Sequence, residues 1–297
     1  MPESCSSTFT RRTALASIAS LLGAKEPSRL VMQGYIWINM ANRAKRPLIE
    51  MMDELFASAP YGGFKNIELN DGYFVADLKT KTLELLDRHK LRMPSVYVGG
   101  GMHTDELAET TLAKALEVGG VCKPYGCKAI IFNPGSKPKN EPKSDNDLAI
   151  QARNLNGMAK KLAAAGFETR LHNHGQELED HAREWRHILA NTDPKLIQFC
   201  LDLEFVFRAG IAPGTLVREA GERTAELHLR NRTNNSPLQS FEAGDIDYGA
   251  VARTLKTLKL KPWITVELAY HDDTLITRSF NDNVRESRLY AEKLFGA

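Results

Sequence analysis

Residues able to hold a metal ion recur at the carboxyl ends of apolar runs in the second half of the chain. His172-Asn173-His174 closes one run, and Asp202 with Glu204 stands in the next. His228 with Arg230 and Asn231 follows, and Glu267 lies in the last. Four successive runs thus deliver His172, Asp202, His228 and Glu267, each able to donate a lone pair to a divalent cation. Imidazole and carboxylate ligands sit about 2.0–2.2 Å from such an ion and neighbouring strands lie about 4.8 Å apart, so ligands on adjacent strands can converge. A mixed nitrogen and oxygen shell suits one Mn, Zn, Co or Fe ion better than Ca, with Mg also compatible. Any one of these residues alone reads as a hydrogen-bonded buried polar group; four at matching positions read as a metal site.

Other residues carry single signals, each with an ordinary alternative. Glu68 ends the second apolar run, where it could bind a hydroxyl, act as a base or form a structural salt bridge. His103 follows Gly99-Gly100-Gly101 on a loop and could close over a substrate or simply be solvated. Arg230 suits a substrate hydroxyl or carboxylate, or an ion pair with a neighbouring strand. Trp37 could stack on the face of a substrate or belong to the core. Lys137, Lys139 and Lys143 read as a solvated basic loop.

These residues need a scaffold that brings consecutive strand ends together. From residue 30 onward, apolar runs of strand length alternate with helix-period stretches, the rhythm of βα units around a parallel sheet. The strand candidates are 30–37, 66–70, 93–98, 129–133, 168–172, 197–204, 225–229 and 263–269. Their Val, Ile and Leu content with little polar alternation indicates burial on both faces. Helical spacing appears in Leu48, Met51, Met52 and Leu55, in Leu155, Met158, Ala159 and Leu162, and in Phe280, Val284, Ser287 and Leu294. Eight units in 297 residues predict a closed (β/α)8 TIM barrel of one domain. A doubly wound open sheet is the runner-up, disfavoured because no strand is followed by a glycine-rich phosphate loop.

Thirty-nine basic against thirty-seven acidic side chains leave a net charge of +2, too balanced for affinity built on neutralising nucleic-acid phosphates. No apolar run reaches the eighteen or so residues of a spanning helix. The paired Arg11-Arg12, followed by uncharged residues 14–24, resemble a twin-arginine export signal, with Ala14 at the usual Phe position and a fair cleavage site after Ala24. Residues 1–24 are therefore expected to be a signal and 25–297 the barrel, exported to the periplasm or beyond. The other reading is an amphipathic first helix. Of the cysteines after residue 24, Cys122 and Cys127 could bridge, but isolated thiols are the expectation.

Several stretches together resemble a known family. They are Leu171-His172-Asn173-His174 with Glu177, the Asp202 strand running through Phe205 to Gly210, His228-Leu229-Arg230, Gly244 to Tyr248, and Val266-Glu267-Leu268. This set is similar to the xylose-isomerase-like barrels described as sugar phosphate isomerases and epimerases, over most of residues 30–296. The resemblance implies a divalent metal held by Glu, Asp, His and Glu from strands five to eight. Asp202, His228 and Glu267 match that pattern, and His172 stands where the family has Glu. Arg230 and Asn231 replace the Lys and Asp of its His-Leu-Lys-Asp stretch.

The resemblance implies catalysis on a keto sugar through an enediolate. The family's epimerases use two glutamates, of which only Glu267 is kept, so His174 is the expected second acid/base. The alternative is β-elimination by a 3-keto-glycoside lyase or dehydratase, with His174 protonating the leaving oxygen. Export favours a non-phosphorylated sugar or keto-polyol. A non-catalytic exported sugar-binding barrel is a further reading, and hydrolysis of the endonuclease IV kind is disfavoured because it uses a larger metal-ligand set. The expected partners are a small carbohydrate, with no nucleic acid and no membrane after signal removal; self-association is left open.

Overall fold

The computed structural model describes residues 28–297. The expected export signal, residues 1–24, lies outside the described residues. Eight parallel strands close into a barrel: β1 (Leu30–Gln33), β2 (Ile67–Asn70), β3 (Ser95–Tyr97), β4 (Ala129–Phe132), β5 (Glu168–His172), β6 (Ile197–Asp202), β7 (Thr224–Leu229) and β10 (Trp263–Val266). Around the ring they run β1, β10, β7, β6, β5, β4, β3, β2. The other two strands, β8 (Arg232–Thr233) and β9 (Ser236–Pro237), pair as a small antiparallel sheet after β7.

Helices wrap the ring as α1 (Tyr35–Ala44), α2 (Leu48–Tyr61), α3 (Ala76–His89), α4 (Asp105–Cys122), α5 (Asp145–Ala164), α6 (Glu179–Asn191), α7 (Leu203–Arg208), α8 (Pro213–Ala220), α9 (Tyr248–Thr257) and α10 (Phe280–Phe295). Their apolar stripes meet the strands. Met52, Leu55 and Phe56 on α2, and Leu155, Met158 and Leu162 on α5, are buried in the common core. Side chains cap the helix starts: Ser144 and Asp147 form a reciprocal capping box on α5, and Ser279 accepts from the Asp282 amide on α10.

The first strand is shorter than the sequence predicts. It stops at Gln33, and Gly34 lets the chain turn against β2: a Cβ there would lie 2.5 Å from Leu69 Cδ2. Ile36 and Trp37 therefore begin α1, buried but helical. A second close approach joins the β3–α4 and β4–α5 loops. Gly135, at φ +79°, brings its α-carbon so near the Gly100 carbonyl that a Cβ would lie 2.4 Å from the oxygen. Cys122, Cys127 and Cys200 are free, buried thiols, and burial pushes the Cys127 thiol up to about 12.

Candidate active site

Strand pleating sets the site. Side chains two residues apart share a face of the sheet, so each inward position near the strand end has another one layer below it. His172 lies above Arg170 on β5, Asp202 above Cys200 on β6, and His228 above Glu226 on β7; Glu267, just past β10, lies above Thr265.

The upper layer brings three of the four expected ligands together. Ligand atoms of His172, His228 and Glu267 lie within 4.8 Å of one another. Asp202 joins from the side, its Oδ2 3.8 Å from His172 Nε2. Asp202 Oδ1 is occupied, accepting the amides of Glu204 and Phe205 at the start of α7. Both ring nitrogens of His172 are buried without a hydrogen-bond partner, and Asp202 Oδ2 faces only the Arg230 guanidinium, 3.0 Å away. Burial, then the neighbouring His228, holds the His172 imidazolium well below its usual range, leaving the neutral ring that ligates metals. Unsatisfied donors of this type, pointed together, fit a divalent ion.

The acid–base balance of the site follows from its charges. Arg230 enters between the carboxylates: Nη1 donates to Glu267 Oε2 at 2.9 Å, and Nη2 donates to Glu204 Oε2 at 3.2 Å and lies 3.0 Å from Asp202 Oδ2. Burial alone would raise the Glu267 carboxyl, but Arg230 and His228 hold it well below the carboxylate range. At Asp202 burial outweighs Arg230 and the pKa rises to about 7. His228 has carboxylates on both edges, Glu267 Oε2 3.1 Å from Nδ1 and Glu68 Oε1 3.2 Å from Nε2. Burial opposes its charge, but Cys200, Glu68 and Glu267 favour it and the balance lies well above the ordinary value.

His174 lies at the rim of this layer, its ring 5.0 Å from that of His172 and 5.2 Å from that of Phe205. Burial lowers its pKa, so the neutral imidazole is the resting form. Its backbone amide donates to Glu177 Oε2 at 2.8 Å. Glu177 is itself buried, and desolvation followed by nearby Glu184 raises its carboxyl to about 7.

The remaining expected residues divide. Arg230 belongs to the centre. Glu68 is fully buried beneath it, accepting from Ser95 Oγ at 2.6 Å, so it supports His228 from below and has no open face toward a substrate. His103 is buried on the β3–α4 loop, where burial and then Lys143 lower its pKa, and it is not brought among the ligands. Lys143 is not a solvated surface residue: its Nζ is buried against Glu184 Oε1 at 2.6 Å. Trp37 is a correction. It lies on α1 with no exposed surface, its ring 4.4 Å from Phe56, and is a core residue and not a sugar-stacking platform.

Three features escape the sequence reading. Tyr97 ends β3 with its ring edge 5.6 Å from His172; its place at a strand end could have marked it. Phe205 lies against both His174 and the Arg230 guanidinium, 5.0 Å from the latter. The lower layer is charged: Arg170 Nη1 donates to Glu226 Oε2 at 2.7 Å in the barrel interior. Asn231 ties down the chain after β7, donating to the Glu242 and Ile246 carbonyls, and Tyr248 Oη donates to the Arg230 carbonyl.

A closed eight-stranded parallel barrel with its polar groups at the strand ends defines the class. The chain belongs to the xylose isomerase-like TIM barrel family, matched over residues 57–294. Its fold is similar to that of a sugar phosphate isomerase/epimerase from Parabacteroides distasonis, at 15% identity and TM-score 0.69, covering 92% of this chain and 96% of that one. It is also similar to D-allulose 3-epimerase from Methylomonas sp. in complex with D-allulose, at 15% identity and TM-score 0.68, covering 90% and 98%. A third is the probable 3-DHS dehydratase from Bacillus anthracis, at 13% identity and TM-score 0.63, covering 87% and 96%. Comparison with curated proteins gives no match.

Proposed function

We propose that this protein is a divalent-metal-dependent isomerase or epimerase acting on a non-phosphorylated sugar or related keto-polyol. The observation that carries the reading is the convergence of His172, His228 and Glu267, with Asp202 beside them and the ring nitrogens of His172 unpartnered. These four residues would hold the ion, His228 giving up its proton on binding, and the ion would supply Lewis-acid stabilisation of negative charge on the oxygens of a carbonyl compound. Glu267 and His174 are the proton-moving pair: one takes the proton from the carbon next to the carbonyl, and the other returns a proton to the adjoining carbon or the opposite face. Arg230 holds Glu267 ionised and oriented, while Phe205 and Tyr97 wall the site. The epimerases among the structural neighbours support this reading.

Elimination is the second reading. His172 stands on β5 where a two-glutamate mechanism needs its second carboxylate, and neutral His174 beside it suits protonation of a leaving oxygen. The probable dehydratase among the neighbours is in keeping with that route. NMR in deuterium oxide with keto sugars and 3-keto-glycosides separates the two: solvent deuterium enters recovered sugar in the first, and an unsaturated product accumulates in the second. No deuterium uptake and no product with any compound, from protein carrying its metal, would leave the sugar-binding reading instead.

We also propose export through the twin-arginine segment. Replacing Arg11 and Arg12 by Lys should retain full-length precursor inside the cell, visible on an immunoblot of cell fractions; unchanged processing would contradict it.

A further inference from the structure

The end of the barrel opposite the site carries a concentration of charge that the net value of +2 conceals. Five strands adjacent around the ring, β4, β3, β2, β1 and β10, are entered by segments rich in basic residues. These segments hold Lys123 and Lys128, Lys90 and Arg92, Lys65, Arg29, and Lys259 and Lys261, with no acidic residue among them. All but the half-buried Arg29 are exposed. Among the described residues, Arg29, Lys65, Lys90, Arg92, Lys128 and Lys259 form no ion pair, whereas most arginines around the mouth and sides do. The arc is continuous. Arg92 lies over Gly126 in the segment entering β4, with its Nη2 3.3 Å from where a Cβ would stand, and Arg29, Lys65 and Arg92 line one cavity of about 810 Å³. Glu292 borders the same cavity but is taken by Arg288.

We propose that this face docks the protein on an anionic lipid bilayer, leaving the mouth of the barrel open to dissolved substrate. One further observation favours a bilayer over another polyanion. Tyr61 and Leu258 are exposed at the ends of α2 and α9, shortly before Lys65 and Lys259 in sequence, and apolar side chains among cations suit the headgroup boundary.

The test is cosedimentation of the full chain with phosphatidylglycerol/phosphatidylcholine vesicles and with phosphatidylcholine vesicles alone. Residues 1–27 are common to every variant, so differences report the face. The expected result is stronger binding to the anionic vesicles in about 0.1 M salt, lost in about 1 M salt as screening shortens to about 3 Å. Lys65→Glu/Arg92→Glu/Lys128→Glu/Lys259→Glu should lower the partition coefficient by about tenfold or more. The single variants Lys65→Glu and Lys128→Glu should each show part of the loss, which keeps the test decisive if the quadruple variant misfolds. Equal binding to both vesicle types, or undiminished binding by the variants, would overturn the proposal. So would binding to heparin, abolished by the same changes, without binding to vesicles.

Discussion

Arg230 shows how one side chain sets the state of several others. Its guanidinium is buried and faces Glu267, Glu204 and Asp202, so its removal strands carboxylates in the interior. Arg230→Met should destabilise the fold by about 3–5 kcal/mol in urea unfolding, the usual cost of deleting one partner of a buried ion pair. A loss under about 1 kcal/mol would mean the carboxylates are solvated or protonated without it. Glu177 makes the pH-dependent counterpart. Its carboxyl is raised from 4.5 to about 7 in the fold, so the folded protein holds this proton more tightly than the unfolded chain does. Its stabilising contribution is complete below pH 4.5 and is lost as pH rises toward 7. Glu177→Gln should remove a fall of roughly 3 kcal/mol across that window, measured as the difference in unfolding free energy between the two pH values. An unchanged pH slope would place the proton elsewhere.

At the scale of elements, the barrel and its strand ends were legible because each strand is a short, doubly buried apolar run. The upper layer was legible for a related reason: His172, Asp202, His228 and Glu267 fall at equivalent strand positions, which pleating aims inward. The end of β1 was not. Ile36 and Trp37 are buried whether strand or helix, and four residues are too few for periodicity to decide. The lower layer was hidden because nothing in the sequence links Arg170 to Glu226, 56 residues away, until the barrel closes and pairs them. Lys143 was misread for the same reason, since its partner Glu184 is 41 residues away. Loop packing gives the prediction at this scale. Gly135→Ala puts a methyl against the Gly100 carbonyl at a left-handed φ, so it should cost about 1–3 kcal/mol in thermal unfolding. An unchanged melting temperature would show that the two loops separate freely.

Over the whole molecule, the converging strand-end groups and the basic arc lie at opposite ends of the barrel, so the proposed catalysis and the proposed surface association would not compete for the same residues. Ion binding at the proposed centre would be coupled to global stability, because its four ligands come from adjacent strands of one closed ring. Free metal at about a hundred times its dissociation constant should add about 2.7 kcal/mol to the unfolding free energy. Whether these strand ends form the proposed metal centre is read most directly from the number of divalent ions bound per chain after dialysis against Mn or Zn. One tightly held ion is expected in the native protein, lost in both His172→Ala and Glu267→Ala with the barrel still folded. An ion-free native protein, or an ion retained equally by both variants, would contradict it.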